Sequence, residues 1–318
     1  MLPALKGKGL FVFSDPGGAK PVLAMAHTLR SQGLVSPIII SDRQYDFFAD
    51  FDVEVMPYCE GDELKQVALF EPDFIYTGTS YTSTIELRFL EQARAKNIFS
   101  CSFVDHYSKL LERFQLNDKL VFPSSVAVID DTAFDKAIQS GLPAELLVVT
   151  GNPYHQYISK WQPSVGKKQF FEGLGLDPAK KMILYAPDPL TNVGGKEKYG
   201  CDEVMALETI LDCLGENKNN IHIIVKPHPN QNLKLFEKYT DRSSVTVLTF
   251  VHLNTLIYYS DVVVSFFSNI LIEAGLLGAK SCRLLINFKG DDYLNESRYN
   301  NIKKVTTHLD LVNLLNTL

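Results

Sequence analysis

Apolar positions in this chain come in short, nearly continuous blocks rather than singly. Blocks rich in β-branched and aromatic residues stand at 9–13, 36–40, 53–56, 74–77, 100–104, 125–129 and 146–150. Runs of this length without polar alternation are what a strand covered on both faces requires. Between them, 21–32, 62–70, 83–96 and 131–140 carry apolar residues at helical spacing. A second series of blocks follows at 182–186, 221–226, 245–248, 261–265 and 281–286, again with helical patterns between. Strands that alternate with helices build parallel sheets with helices on both faces. The stretch 155–168, with Trp161, Pro163 and Gly166, interrupts the alternation and reads as a linker. The expected architecture is α/β: a Rossmann-like domain over 1–154, the linker 155–168, and a second Rossmann-like domain over 169–318. Two doubly wound domains of this kind are expected to face a central cleft. The end of the chain, 307–318, has Leu309, Val312 and Leu315 on one face and predicts a short amphipathic helix.

Composition narrows the function classes. The chain has 318 residues, 46% hydrophobic and 21% charged, enough for two sizeable cores. A net charge of −6 argues against a nucleic-acid partner, which would call for concentrated basic surface. Cys59, Cys101, Cys201, Cys213 and Cys282 are scattered without C-x-x-C pairs, so neither a zinc site nor a disulfide framework is expected, and a reducing cytoplasm is. No apolar run reaches membrane-spanning length, so contact with the inner membrane face would be peripheral. The acidic pairs Asp130-Asp131 and Asp291-Asp292 lack a third ligand, and no metal is expected.

Candidate chemistry sits where the apolar blocks stop. The block ending in Lys226-Pro227-His228-Pro229 places a cation and an imidazole at a strand end, with prolines fixing the backbone. The block ending at Ser265 runs through Phe266-Phe267-Ser268-Asn269 into a helix carrying Glu273, so hydroxyls and helix amides are available to an anion. In the first half, Ser14-Asp15-Pro16-Gly17-Gly18 opens a helix, and its glycines let a ligand approach the backbone. Thr77-Gly78-Thr79-Ser80 with Glu86 repeats the arrangement, its hydroxyls suited to a sugar or to capping the next helix. Asp105-His106, followed by Arg113, pairs a carboxylate and an imidazole for proton abstraction with a guanidinium to clamp an anion; the plain alternative is an Asp105–Arg113 ion pair.

The segments Lys226-Pro227-His228-Pro229, Ser265-Phe266-Phe267-Ser268-Asn269 with Glu273, and Leu184-Tyr185-Ala186-Pro187 resemble the donor-binding half of bacterial glycosyltransferases of the GT-B fold. The nearest groups are sialyltransferase-like and CDP-glycerol glycerophosphotransferase-like enzymes of surface polymers. Gly151-Asn152-Pro153 resembles a hinge-side turn that many of these share with UDP-GlcNAc 2-epimerases. The resemblance implies that Lys226, His228, Pro229, Ser265, Ser268 and Asn269 bind the nucleotide and its phosphate and that Glu273 binds the ribose. Gly17, Gly18, Thr79, Ser80 and Arg113 would face acceptor or sugar, with Asp15, or Asp105 and His106, as base. The implied activity is metal-independent transfer of a sugar, with a tilt toward a CMP-linked sialic-acid-like or Kdo-like one, to a glycan or lipid-linked glycan. A UDP-GlcNAc 2-epimerase-like isomerase and a non-catalytic nucleotide-sugar-binding protein are the alternatives.

Overall fold

The computed structural model describes residues 4–215, 219–228, 231–290 and 302–318. The chain divides into two compact units, Met1–Lys160 and Trp161–Leu318.

In the first unit the apolar blocks become strands β1 (Gly7–Phe13), β2 (Val35–Ser41), β3 (Val55–Pro57), β4 (Phe74–Thr77) and β5 (Phe99–Val104). Helices α1 (Pro16–Ser31), α2 (Glu63–Phe70) and α3 (Ile85–Ala95) connect them. A small hairpin of β6 (Gln115–Leu116) and β7 (Lys119–Leu120) precedes β8 (Ser125–Val128), α4 (Asp131–Gln139), β9 (Leu147–Val149) and α5 (Pro153–Ile158). The sheet is parallel throughout, in the order β3-β2-β1-β4-β5-β8-β9. Leu10 to Phe13 of the central strand are fully buried, as their unbroken apolar run requires.

The second unit contains α6 (Lys167–Gly173), β10 (Lys181–Tyr185), α7 (Gly195–Tyr199), α8 (Glu203–Cys213), β11 (Ile221–Val225) and β12 (Val245–Val247). These are followed by α9 (Leu253–Tyr259), β13 (Val262–Ser265), α10 (Ile270–Leu276), β14 (Lys280–Leu284), β15 (Ile302–Val305) and α11 (His308–Leu315). Its parallel sheet runs β12-β11-β10-β13-β14-β15. Both sheets start in the middle, run to one edge and return to the other side. The order therefore reverses between β1 and β4, and again between β10 and β13. At such a reversal the crossovers leave in opposite directions and open a crevice at the carboxyl ends of the strands.

Three local differences from the sequence reading have physical causes. Helix α1 begins at Pro16, not near Pro21: Pro16 occupies the first turn, where its missing N–H is harmless, and Pro21 is carried inside the helix. Strand β15 escapes the apolar-block criterion because Lys303 and Lys304 are exposed between buried Ile302 and Val305, a pattern suited to a sheet edge. Within 155–168, residues 155–158 continue α5, whose Tyr157 ring lies against Phe51 and His27, and residues 167–168 open α6. No helix among the described residues is long and apolar enough to cross a membrane.

Candidate functional site

At the first reversal, β1 and β4 lie in parallel register, and the loops that follow them are laced together by side chains. Asp15 precedes α1 in extended conformation but does not cap it. Its Oδ2 accepts from the Tyr81 amide (2.8 Å), its Oδ1 from the Thr82 hydroxyl (2.6 Å), and Arg43 Nη1 stands 3.4 Å from Oδ1. The Asp15 amide donates to Ser80 Oγ (2.9 Å). Ser80 in turn donates to Glu86 Oε1 (2.5 Å), which also receives the Ser14 amide (3.1 Å). Asp15, one of the two expected bases, is thus an ionic brace between loops.

Glu86 is the titratable group that the first reversal isolates. It is 3% exposed, and burial pushes its carboxyl up to about 7, against the bond from Ser80, which favours the charged form. Its Oε2 and the Ser14 hydroxyl have no hydrogen-bond partner among the described residues.

Asp105, after β5, receives Arg113 Nη1 at 3.3 Å, and both side chains are largely buried. The same nitrogen donates to the Thr79 carbonyl (3.0 Å), so Arg113 ties the β4 and β5 loops together. Thr79 and Ser80 are themselves buried, and the Thr79 hydroxyl donates to the Phe103 carbonyl (3.4 Å). His106 is exposed, and its Nδ1 accepts from the Ser108 amide (3.2 Å) within its own loop.

Gly17 and Gly18 lie in the first turn of α1, Gly17 exposed and Gly18 buried, and each has a close neighbour on the side where a Cβ would project. A Cβ on Gly17 would stand 2.1 Å from Asp105 Oδ2, and one on Gly18 3.2 Å from the Thr79 nitrogen and 3.3 Å from Gly78 Cα. Because the neighbours of Gly18 are backbone, Gly18→Ala is expected to destabilise the protein by about 1–3 kcal/mol, through separation of α1 from the β4 loop. Denaturant unfolding checks this; a midpoint within error of wild type would count against such close packing.

In the second unit, His228 and Lys226 follow β11, both half-buried. Burial, reinforced by the nearby Lys226 charge, lowers the His228 pKa and so favours the neutral imidazole. The turn is anchored from below: the His228 amide donates to Gln231 Oε1 (3.0 Å), and Gln231 Nε2 donates to Glu203 Oε1 (3.1 Å). Glu203 is fully buried in α8 and also accepts from the Thr191 amide and hydroxyl. Pro229 lies outside the described residues.

The loop after β13 departs from expectation. Ser265 is fully buried and donates to the Ala186 carbonyl (2.6 Å), with Asp188 Oδ2 3.0 Å away. The same Asp188 oxygen accepts from the amides of Phe266 (3.1 Å) and Phe267 (3.2 Å). The amides of Leu271, Ile272 and Glu273 bond to carbonyls of Ser268 and Asn269, and that of Ile270 to Ser268 Oγ. Ser265 and the amides read as a phosphate cradle are therefore spent within the protein, because a carboxylate one residue beyond Leu184-Tyr185-Ala186-Pro187 takes the anion's place. Ser268 stays partly exposed and Asn269 exposed, while Glu273 is 5% exposed on α10. Asp188, Glu203, Gln231 and Arg43 brace these loops and were not singled out in the sequence; Asp188 alone had a signal, its place beside a strand end.

No protein-family model matches the chain, and no curated protein matches it. Solved structures do. A putative UDP-N-acetylglucosamine 2-epimerase from Listeria monocytogenes is similar with a TM-score of 0.71 and 13% identity, over 98% of this chain and 88% of that one. The UDP-GlcNAc 2-epimerase of Neisseria meningitidis, bound to UDP-GlcNAc, gives 0.66 and 14%, over 98% and 90%. Anabaena HepE in complex with UDP-glucose gives 0.63 and 16%, over 98% and 89%. The expected CMP-linked sugar has no counterpart among these three. At such identities the likeness is one of fold: the fold of this chain is GT-B-like, with two parallel-sheet Rossmann-like domains as in UDP-GlcNAc 2-epimerases.

Proposed function

We propose that this chain is an enzyme acting on a UDP-linked sugar, by an isomerisation of the UDP-GlcNAc 2-epimerase kind. The observation that supports this reading is a likeness running through both units, over 98% of the chain, to proteins named for or bound to UDP-sugars. The diphosphate is assigned to Lys226, His228, Ser268 and Asn269, and the ribose to Glu273. Side chains answer the phosphate charge in this scheme, and it calls for no metal. Inverting a carbon that bears hydrogen needs one group to take the proton and one to return it on the other face. Glu86, poised near neutrality, and Asp105 are assigned to proton handling, with Arg113, Thr79 and Ser80 holding them in place and Asp15 as a brace.

The test is incubation with UDP-GlcNAc in D2O, without acceptor, followed by proton NMR. Deuterium at carbon 2 and appearance of the epimer are expected. UDP release only when a glycan or lipid-linked glycan is added would instead favour the transferase reading, and binding without turnover a nucleotide-sugar-binding protein. His228→Ala is expected to weaken UDP binding at least tenfold, about 1.4 kcal/mol, with unchanged unfolding; unaltered affinity by titration calorimetry would remove His228 from the site.

A further inference from the structure

The first unit also holds a cavity of about 340 Å³ formed by the segments that follow β2, β3 and β4. Its size is within the range of small-molecule sites, roughly 300–1,000 Å³. Two aromatic rings line it, Tyr58 and Tyr81, together with the carboxylates of Asp42 and Glu60, the hydroxyl of Ser83 and the guanidinium of Arg88.

The chemistry of that lining selects among ligands. Arg88 is the cation among the described lining residues, and it is matched already, with Nη2 bonded to Glu60 Oε1 (2.5 Å) and Nη1 3.7 Å from Glu63. Two lining carboxylates against one lining cation disfavour a phosphate or nucleotide. The same carboxylates are strong acceptors for hydroxyl groups, and Asp42 is held in place by the Ser83 hydroxyl at 2.6 Å. Tyr81 is 56% exposed yet fixed: Lys109 Nζ bonds its hydroxyl (2.7 Å) and lies 3.9 Å from its ring centroid. A rigid, solvent-facing ring beside oriented acceptors suits a ligand with apolar C–H faces and a hydroxyl rim.

We propose that this cavity binds a neutral saccharide, at a site separate from that of the UDP-sugar. The assignment goes beyond the isomerase reading, whose reaction needs no second sugar. Its floor is connected to the first reversal, since the Tyr81 amide and the Thr82 hydroxyl both donate to Asp15.

Saturation-transfer NMR on the full chain, with methyl N-acetyl-β-glucosaminide, methyl β-glucoside and chitobiose as probes, tests it. Saturation transfer is expected for at least one probe. It should be abolished in Tyr81→Ala and weakened at least tenfold in Asp42→Asn, while both variants keep the wild-type melting temperature, and it should persist when UDP or inorganic phosphate is added. No transfer from any probe, undiminished transfer in Tyr81→Ala, or displacement by UDP or phosphate would each overturn the proposal. UDP binding is read separately by thermal shift, so failure of the UDP-sugar reading leaves the saccharide result standing.

Discussion

Replacing Asp188 with alanine is expected to lower the unfolding temperature by roughly 10 °C, whereas Asp188→Asn should move it by only a few degrees. The difference follows from what Asp188 Oδ2 does: it accepts two successive backbone amides, Phe266 and Phe267, and lies 3.0 Å from the Ser265 hydroxyl. Alanine leaves both amides without an acceptor, at about 1–3 kcal/mol each. With about 4 kcal/mol lost in a unit of this size, and about 2–4 °C per kcal/mol, a shift near 10 °C results. Asparagine keeps an oxygen in place and gives up only the charge, which burial already disfavours by raising the Asp188 pKa above the usual aspartate value. Differential scanning calorimetry of the two variants decides it. Equal losses in both would mean that the charge, not the acceptor geometry, organises the loop. UDP binding should fall in Asp188→Ala as well, because Ser268 and Asn269 are positioned by the same loop.

The blocks of apolar residues were sufficient to locate the sheets because burial on both faces leaves little freedom in composition. Val262 to Val264 and Ile221 to Val225 are buried throughout, and their strand ends carry the polar groups that drew the functional reading. Strand β15 was illegible for the complementary reason: half of an edge strand faces solvent, so its composition is not constrained. The site was legible at the level of loops but not of roles. Gly17 and Gly18 signal close approach in any sequence, yet only the fold reveals that Asp105 and the Thr79 backbone do the approaching. The same holds for Ser265, whose type suits a phosphate as well as it suits Ala186 and Asp188. For Ser265 the deciding contacts join residues 77 and 79 positions apart, and no local pattern encodes them.

Glu86 yields a second large effect, in the dependence of stability on pH. Its folded-state value of about 7 lies above the ordinary value of 4.5, with burial as the main cause and the charges of Asp15 and Asp42 adding to it. Between these two values the native protein binds more protons at this site than the unfolded chain does, so the contribution to stability falls as pH rises, and it levels off above pH 7. The full span corresponds to about 3 kcal/mol. Glu86→Gln does not titrate, and its carbonyl can still accept from Ser80 and the Ser14 amide, so this contribution should vanish. The variant is expected to approach wild type near pH 4.5 and to exceed it by up to a few kcal/mol at pH 8. Urea unfolding of both proteins between pH 4.5 and 8, at equal m-values, measures the difference directly. Parallel curves would show that Glu86 ionises as easily in the fold as in water. Converging curves at low pH would instead establish a buried carboxyl that changes charge near neutrality.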